Sequence, residues 1–312
     1  MTTNPRMSRA LVIGSRGSKL ALWQAEAVRQ RLLPQNDVRI EIIKTTGDVK
    51  NDPLSVIGGK GVFTKELEDA LIDGRIDLAV HSLKDLPTIL PEGLSISAIC
   101  EREDARDALV LRSGVEVEHA SLAGLPAEAV VGTSSQRRLS QLKALRGDVV
   151  VTDLRGNVDT RIRKLDGGQY DAVILATAGL VRLGLEERIS ARISVAEMLP
   201  AVGQGAVAIE TRSDNEFAVE ATRKLDHYRT RLACLAERSF LRSLGGGCQF
   251  PIAAHARVVD DSLHLDGLVA KPDGSEILRD SLSGPLVDAE SLGTQLAEHL
   301  LARGARALLN VL

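Results

Sequence analysis

Residues 77–87 read DLAVHSLKDLP. The first half is an apolar run of strand length, and the second half turns through Lys84 and Asp85 and stops at Pro87. Just upstream, GVFTKELEDALIDG (61–74) places Phe63, Leu67, Ala70 and Leu71 at i, i+4, i+7 and i+8. That spacing predicts one buried helix face, with Gly74 available to end the helix. Helix followed by strand is the repeating unit of an α/β protein. Lys84 and Asp85 then stand at the C-terminal end of a strand, the edge of an open α/β sheet where ligands bind. Two readings stay open for them: a surface pair, or a site carboxylate that stabilises positive charge in a transition state. His81, inside the strand, reads as structural rather than as a base.

The same alternation extends in both directions. ALVIG (10–14) is a predicted strand that turns through GSRGS into the helix KLALWQAEAVRQRL, and VRIEIIK (38–44) and LSISAI (94–99) are further strands. A second α/β set begins near residue 106. AVVGTSS leads into the helix SQRRLSQLKALRG, followed by the strand VVVTDL, the helix RGNVDTRIRKLDGG and the strand DAVILATAG. AVGQGAVAIETR (201–212) enters another strand between glycines. From about 223 the character changes to a helix reaching about 244, a hairpin turning at Asp260-Asp261-Ser262, and a last amphipathic helix, ESLGTQLAEHLLARG. At 312 residues the chain exceeds one ordinary core and suggests two or three domains.

Composition narrows the function. Only 2% of residues are aromatic and the net charge is −3, which argues against base-stacking platforms and against global attraction to nucleic acid or a membrane surface. The N-terminal ten residues lack an apolar signal region and no run approaches a transmembrane span, so the cytoplasm is the expected compartment. Positive charge is concentrated instead: residues 131–165 hold eight Lys or Arg against three Asp. Arg16, the Arg137–Arg138 pair and Arg155 fall where strands hand over to helices. Free N–H groups and the dipole at a helix N-terminus favour anions there, and guanidinium groups match carboxylates or phosphates bidentately. Arg163 and Lys164 read as a solvated helix face. The long loop 47–61 carries Lys60 between glycines, but GGKG is not a phosphate-binding Walker motif, and GSRGS does not fit GxGxxG. Three cysteines cannot all pair, and their spacing indicates neither a disulfide framework nor a metal site. Cys100 and Cys234 lie in apolar patterns and read as structural. Cys248 ends the run GGGCQFP (245–251), where three glycines favour a loop that lets backbone approach a ligand closely. A tethering or nucleophilic thiol is the first hypothesis for it.

Taken in order, GSRGSKLALWQ, TTGD, GGKGVFTKEL, DLAVHSLKDLP, VGTSSQRRLSQL, DLRGNVDTRIRKL, AVGQGAVAIETR and ERSFLRSLGGGCQFP resemble the porphobilinogen deaminase (hydroxymethylbilane synthase) family from about residue 11 to the last helix. Departures are small: Ala105 stands in EDARDALV where proline is common, and residues 1–9 fall outside the pattern. The resemblance implies two periplasmic-binding-protein-like (type II) α/β domains with the site between them, and a smaller α+β C-terminal domain. The boundaries expected are 7–104 with 204–222, an inserted 105–203, and 223–312. It implies a cytoplasmic monomer that condenses four porphobilinogen units, with loss of ammonia, on a dipyrromethane cofactor bound through a thioether to Cys248, with no metal and no nucleic-acid partner. Asp85 matches the catalytic carboxylate. Lys84, Ser134, Arg137, Arg138 and Arg155 match positions that hold the cofactor. Arg16, Ser18, Lys60, Arg161 and Gln204 match positions that hold the substrate. The arginines suit a polyanion, because every pyrrole ring carries acetate and propionate. Two other readings are a non-catalytic binding protein on the same architecture, which gives Cys248 no role, and nucleic-acid binding through 131–165, which composition disfavours.

Overall fold

The computed structural model describes residues 10–33, 36–49, 63–115, 117, 119–247 and 250–309. In chain order the first elements are β1 (Leu11–Ser15), α1 (Lys19–Leu32), β2 (Val38–Ile42), α2 (Lys65–Ile72), β3 (Leu78–Ser82) and β4 (Leu94–Ile99). There follow β5 (Asp107–Leu111), β6 (Val130–Gly132), α3 (Gln136–Leu145), β7 (Val150–Thr152), α4 (Val158–Asp166), β8 (Ala172–Ala176), α5 (Thr177–Arg182) and β9 (Ala191–Arg192). The last are β10 (Val207–Arg212), α6 (Glu216–Arg223), α7 (Tyr228–Ser243), β11 (Ile252–Val259), β12 (Ser262–Ala270), β13 (Ile277–Pro285) and α8 (Ala289–Ala302).

The chain separates into two compact units. The first comprises the described residues of Met1–Leu86, Leu90–Glu101 and Val207–His227; the second comprises Pro87–Ile89, Arg102–Ala206 and Tyr228–Leu312. Unit 1 is built on the sheet β2-β1-β3-β10-β4, in which β1 runs parallel to β2 and β3 while β10 is antiparallel to both of its neighbours. Unit 2 repeats that order in β7-β6-β8-β5-β9, with β5 as the antiparallel strand. Parallel strands covered on both faces are apolar throughout, which explains why all five residues of β1 are buried. Unit 2 also holds the antiparallel sheet β11-β12-β13, whose inner face packs on α7 and α8 around Phe240, Leu265 and Leu296, all fully buried. The expected class is therefore present: α/β sheets with a smaller α+β portion at the C-terminal end.

Local differences from the sequence reading have physical causes. α2 starts at Lys65, not at Phe63, because the Phe63 ring stacks under the Arg16 guanidinium, 4.2 Å from its centroid, instead of joining the helix face. The strand read from DAVILATAG stops at Ala176 and continues as helix. The strand read from residue 201 begins at Val207, after turns that need left-handed backbone at Gly203 and Gly205. The hairpin turns where expected, with Asp260 at φ 51°. β13 carries no clear apolar alternation and was not legible.

Candidate functional site

In unit 1, the expected site residues Arg16, Ser18, Lys84 and Asp85 lie just beyond the C-terminal ends of β1 and β3. Arg16 follows β1. Ser18 caps α1, its hydroxyl accepting from Ala21 N at 3.3 Å. After β3 the chain enters a single 3-10 turn, Leu83–Asp85, which carries Lys84 and Asp85, both half-buried. Leu83 and Leu86, 1% and 4% exposed, anchor this turn in the core on either side of the two polar residues. Gln24 of α1 donates to the Ser82 hydroxyl at 2.9 Å, fixing the residue that opens the turn. His81 is buried with its Nε2 3.0 Å from Glu210 Oε2 on β10, which agrees with a structural histidine.

In unit 2 the arginine pair occupies the first turn of α3, as expected, but it is buried and already meets an anion. Asp107, which opens the antiparallel strand β5, lies opposite the C-terminal end of β8. Its carboxylate accepts from Arg137 Nη1 at 2.7 Å, Arg138 Nη2 at 2.7 Å and Gln204 Nε2 at 2.9 Å. Further bonds from Arg137 to the Leu199 carbonyl and from Arg138 to the Ile174 carbonyl hold both guanidinium groups in place. Burial alone would raise the pKa of Asp107; the two guanidinium groups outweigh it and hold this carboxyl well below the usual carboxylate range. The sequence reading missed Asp107. Its only local signal is an acidic residue at the head of an apolar run, DALVL.

The loops after β6 and β7 are tied together by Ser134, whose hydroxyl donates to the Leu154 carbonyl at 2.6 Å and accepts from Leu154 N at 3.1 Å. Arg155 pairs with Asp153 at 2.7 Å, and Arg161, in the second turn of α4, donates to the Gly156 carbonyl at 2.7 Å. Both arginines are partly exposed.

A dipyrromethane cofactor needs a thiol, donors for its carboxylates and partners for its pyrrole N–H groups. Unused polar capacity is present: Arg137 Nε and the Thr177 hydroxyl as donors, and Gln204 Oε1 as an acceptor, are buried and make no hydrogen bond to any described residue. Buried polar atoms of this kind call for a partner. Cys100 and Cys234 do not suit attachment. Both are buried, and burial pushes the Cys234 thiol up to about 12, which suppresses the reactive thiolate. Cys248 and Lys60 lie outside the described residues. Among the described residues, no helix is long and apolar enough to cross a membrane.

Two α/β sheets of one strand order and a separate three-stranded antiparallel sheet packed on helices define a two-sheet α/β protein with an α+β portion at its C-terminal end. The chain belongs to the porphobilinogen deaminase family. The family model "Porphobilinogen deaminase, dipyromethane cofactor binding domain" matches residues 11–220, and "Porphobilinogen deaminase, C-terminal domain" matches residues 231–302. The family's enzymes are transferases of tetrapyrrole biosynthesis that use porphobilinogen and a dipyrromethane cofactor. Solved structures with similarity include the Bordetella pertussis BvgS periplasmic VFT2 domain, at 17% identity over 69% of this chain and 86% of that one, TM-score 0.41. A Bacillus subtilis putative methionine-binding lipoprotein matches at 11% identity over 69% and 89%, TM-score 0.42. YhfZ from Shigella flexneri matches at 16% over 75% and 96%, TM-score 0.36.

Proposed function

We propose that this protein is a hydroxymethylbilane synthase: it condenses four porphobilinogen units, releasing ammonia at each step, into a linear tetrapyrrole on a dipyrromethane held by Cys248. The observation that carries this reading is positional. The expected residues Arg16, Ser18, Lys84 and Asp85 of unit 1, and Ser134, Arg137, Arg138 and Arg155 of unit 2, fall on the C-terminal side of the parallel strands or in the first helical turn beyond them. That edge gathers loops and helix N-termini with free N–H groups, the setting α/β sheets offer to anionic ligands.

When bound, the dipyrromethane supplies the pyrrole carbon to which the first unit is joined. The rest falls to the chain's own groups. In each condensation the aminomethyl C–N bond of porphobilinogen breaks, a C–C bond forms, and the ring hydrogen displaced leaves as a proton taken up by ammonia. Asp85 offers an anionic oxygen to the pyrrole N–H groups and stabilises the positive charge that develops as ammonia departs. A carboxylate there can also take up the ring proton before passing it on. Arg16, Arg155, Arg161 and Lys60 bind acetate and propionate groups. Arg137 and Arg138, oriented by Asp107, use the donors that Asp107 leaves over, while Ser18, Ser134 and Gln204 add neutral hydrogen bonds. Covalent tethering makes each addition intramolecular with respect to the acceptor. The three-domain division at 104/105, 203/204 and 222/223 belongs to this reading, as does a cytoplasmic monomer.

The test is intact-mass spectrometry. Wild-type protein should carry a dipyrromethane mass and, with limiting porphobilinogen, additional ring masses up to four. Cys248→Ser should fold, carry no adduct and turn over poorly; an unmodified but active Cys248→Ser protein would end this reading.

A further inference from the structure

The buried face of α1 is formed by Ala21, Gln24, Ala25, Val28 and Leu32. Four of these are apolar and the fifth is an amide, 2% exposed. A methionine would fill much the same space with no amide to desolvate, so Gln24 calls for a specific partner. That partner is Ser82, the last residue of β3: Gln24 Nε2 donates to its hydroxyl at 2.9 Å.

Ser82 stands where β3 loses support from its sheet. The pairing of β3 with β1 ends at Ala79, while the pairing with β10 continues to Ser82, opposite Val207. At its last residue the strand is therefore laddered on one side only, and Gln24 reaches it from the helix layer. Ser82 is also the N-cap of the 3-10 turn Leu83–Asp85, in extended backbone at φ −67° and ψ 121°. A serine there ordinarily bonds an N–H of the turn, yet its hydroxyl makes no capping bond. The hydroxyl is committed to a helix 58 residues away in sequence instead. Little slack remains between Ser82 and Asp85. Leu83 is buried, and the Leu86 N–H returns to the Leu83 carbonyl at 3.2 Å, so a displaced Ser82 carries the whole turn with it. The N-terminal end of α1 bears Ser18 as its cap, with Arg16 two residues before it. Six residues of helix, about 9 Å, separate Ser18 from Gln24.

We propose that Gln24 is a positioning residue for the reaction: through Ser82 it ties α1, which carries Ser18 and Arg16 at its N-terminal end, to the turn that presents Asp85. This rests on the reading of Asp85 as the catalytic carboxylate. Gln24 touches neither substrate nor cofactor in this role. It sets where the Asp85 carboxylate stands relative to the side chains at the start of α1.

The experiment is a pair of double-mutant cycles on the cofactor-loaded protein, with loading verified by intact mass. Gln24→Met keeps the bulk and removes the amide; Ser82→Ala removes the hydroxyl from the other side and serves if Gln24→Met folds poorly. Each should lower kcat about ten- to a hundredfold, as expected when a reacting group moves by roughly an ångström, and leave KM within about twofold. Combining the two should cost no more than the worse single change, because both break one contact. In an Asp85→Asn background Gln24→Met should cost almost nothing further, since residues that act as one unit are not additive. Wild-type kcat in both single variants would overturn the proposal. So would a loss confined to KM, or losses that multiply in either double variant, while Asp85 stayed the catalytic group. Normal turnover in Asp85→Asn alone would instead remove the reading of Asp85 on which the proposal rests.

Discussion

Replacing Asp107 by Asn tests whether the arginine pair is organised by the chain itself. The carboxylate is fully buried and takes bonds from Arg137, Arg138 and Gln204, so the substitution leaves two buried guanidinium groups facing a neutral amide. Breaking a buried ion pair by removing one partner costs about 3–5 kcal/mol. The nearby carbonyls of Leu199 and Ile174 still accept from the arginines, which places the loss toward the lower end. For a cooperative unit of roughly 200 residues that is a fall in Tm of about 10 °C. The pH dependence follows from the direction of the shift. A depressed folded pKa gives stability that is complete above the unfolded value of about 3.9 and lost only as pH falls toward the folded value. The gap between wild type and Asp107→Asn should therefore stay constant from about pH 8 to pH 5 and narrow only below about pH 4. Thermal and urea unfolding across that range, with intact mass to score cofactor loading, provide the assay. Asp107→Asn should also load poorly, since Arg137 and Arg138 lose the group that aims them. A Tm within about 1 °C of wild type, or a gap that narrows already at neutral pH, would refute Asp107 as the ionised anchor of the pair.

Asp85→Asn should keep the shape of the turn and reduce kcat by about 10²–10³, since an amide brings no charge to a developing cation; stopped assays of porphobilinogen consumption measure it, and near-normal turnover returns Asp85 to a surface role. Single replacement of Arg16, Arg155 or Arg161 by Leu should shift the distribution of ring-count masses after brief exposure to porphobilinogen, each differently, whereas identical distributions would indicate one recruitment site. Arg137→Leu and Arg138→Leu should differ from these in also losing stability, because each leaves Asp107 under-compensated, and unfolding curves separate the two groups. Cys234, with its thiol held near 12, should resist alkylation at pH 8 in the folded protein and react once urea unfolds it, as read by peptide mass; rapid labelling of native Cys234 would contradict its burial.

Sequence alone determined whatever depends on neighbours along the chain. Alternating apolar runs and helical spacing located β1, α1, β3, α3 and the β11–β12 hairpin, because strand and helix periods are local. Placing Lys84 and Asp85 beyond β3, and the arginine pair at the start of α3, needed only the order of elements. Burial of Cys100 and Cys234 followed from the apolar patterns around them. What escaped depends on partners brought from far away. Asp107 reads as one acidic residue among many until folding sets it against Arg137, 30 residues away, and Gln204, 97 away. The arginines read from sequence as an open anion site therefore already hold a carboxylate. Phe63 fits the helix period but stacks against Arg16, and β13 lacks a distinct pattern because it lies at the edge of its sheet, half-exposed along most of its length. Gln24 reads as an ordinary helix glutamine, and only the tertiary structure brings it to the Ser82 hydroxyl. Periodicity records which face of an element is buried; it carries no information about which distant atom a buried charge will meet.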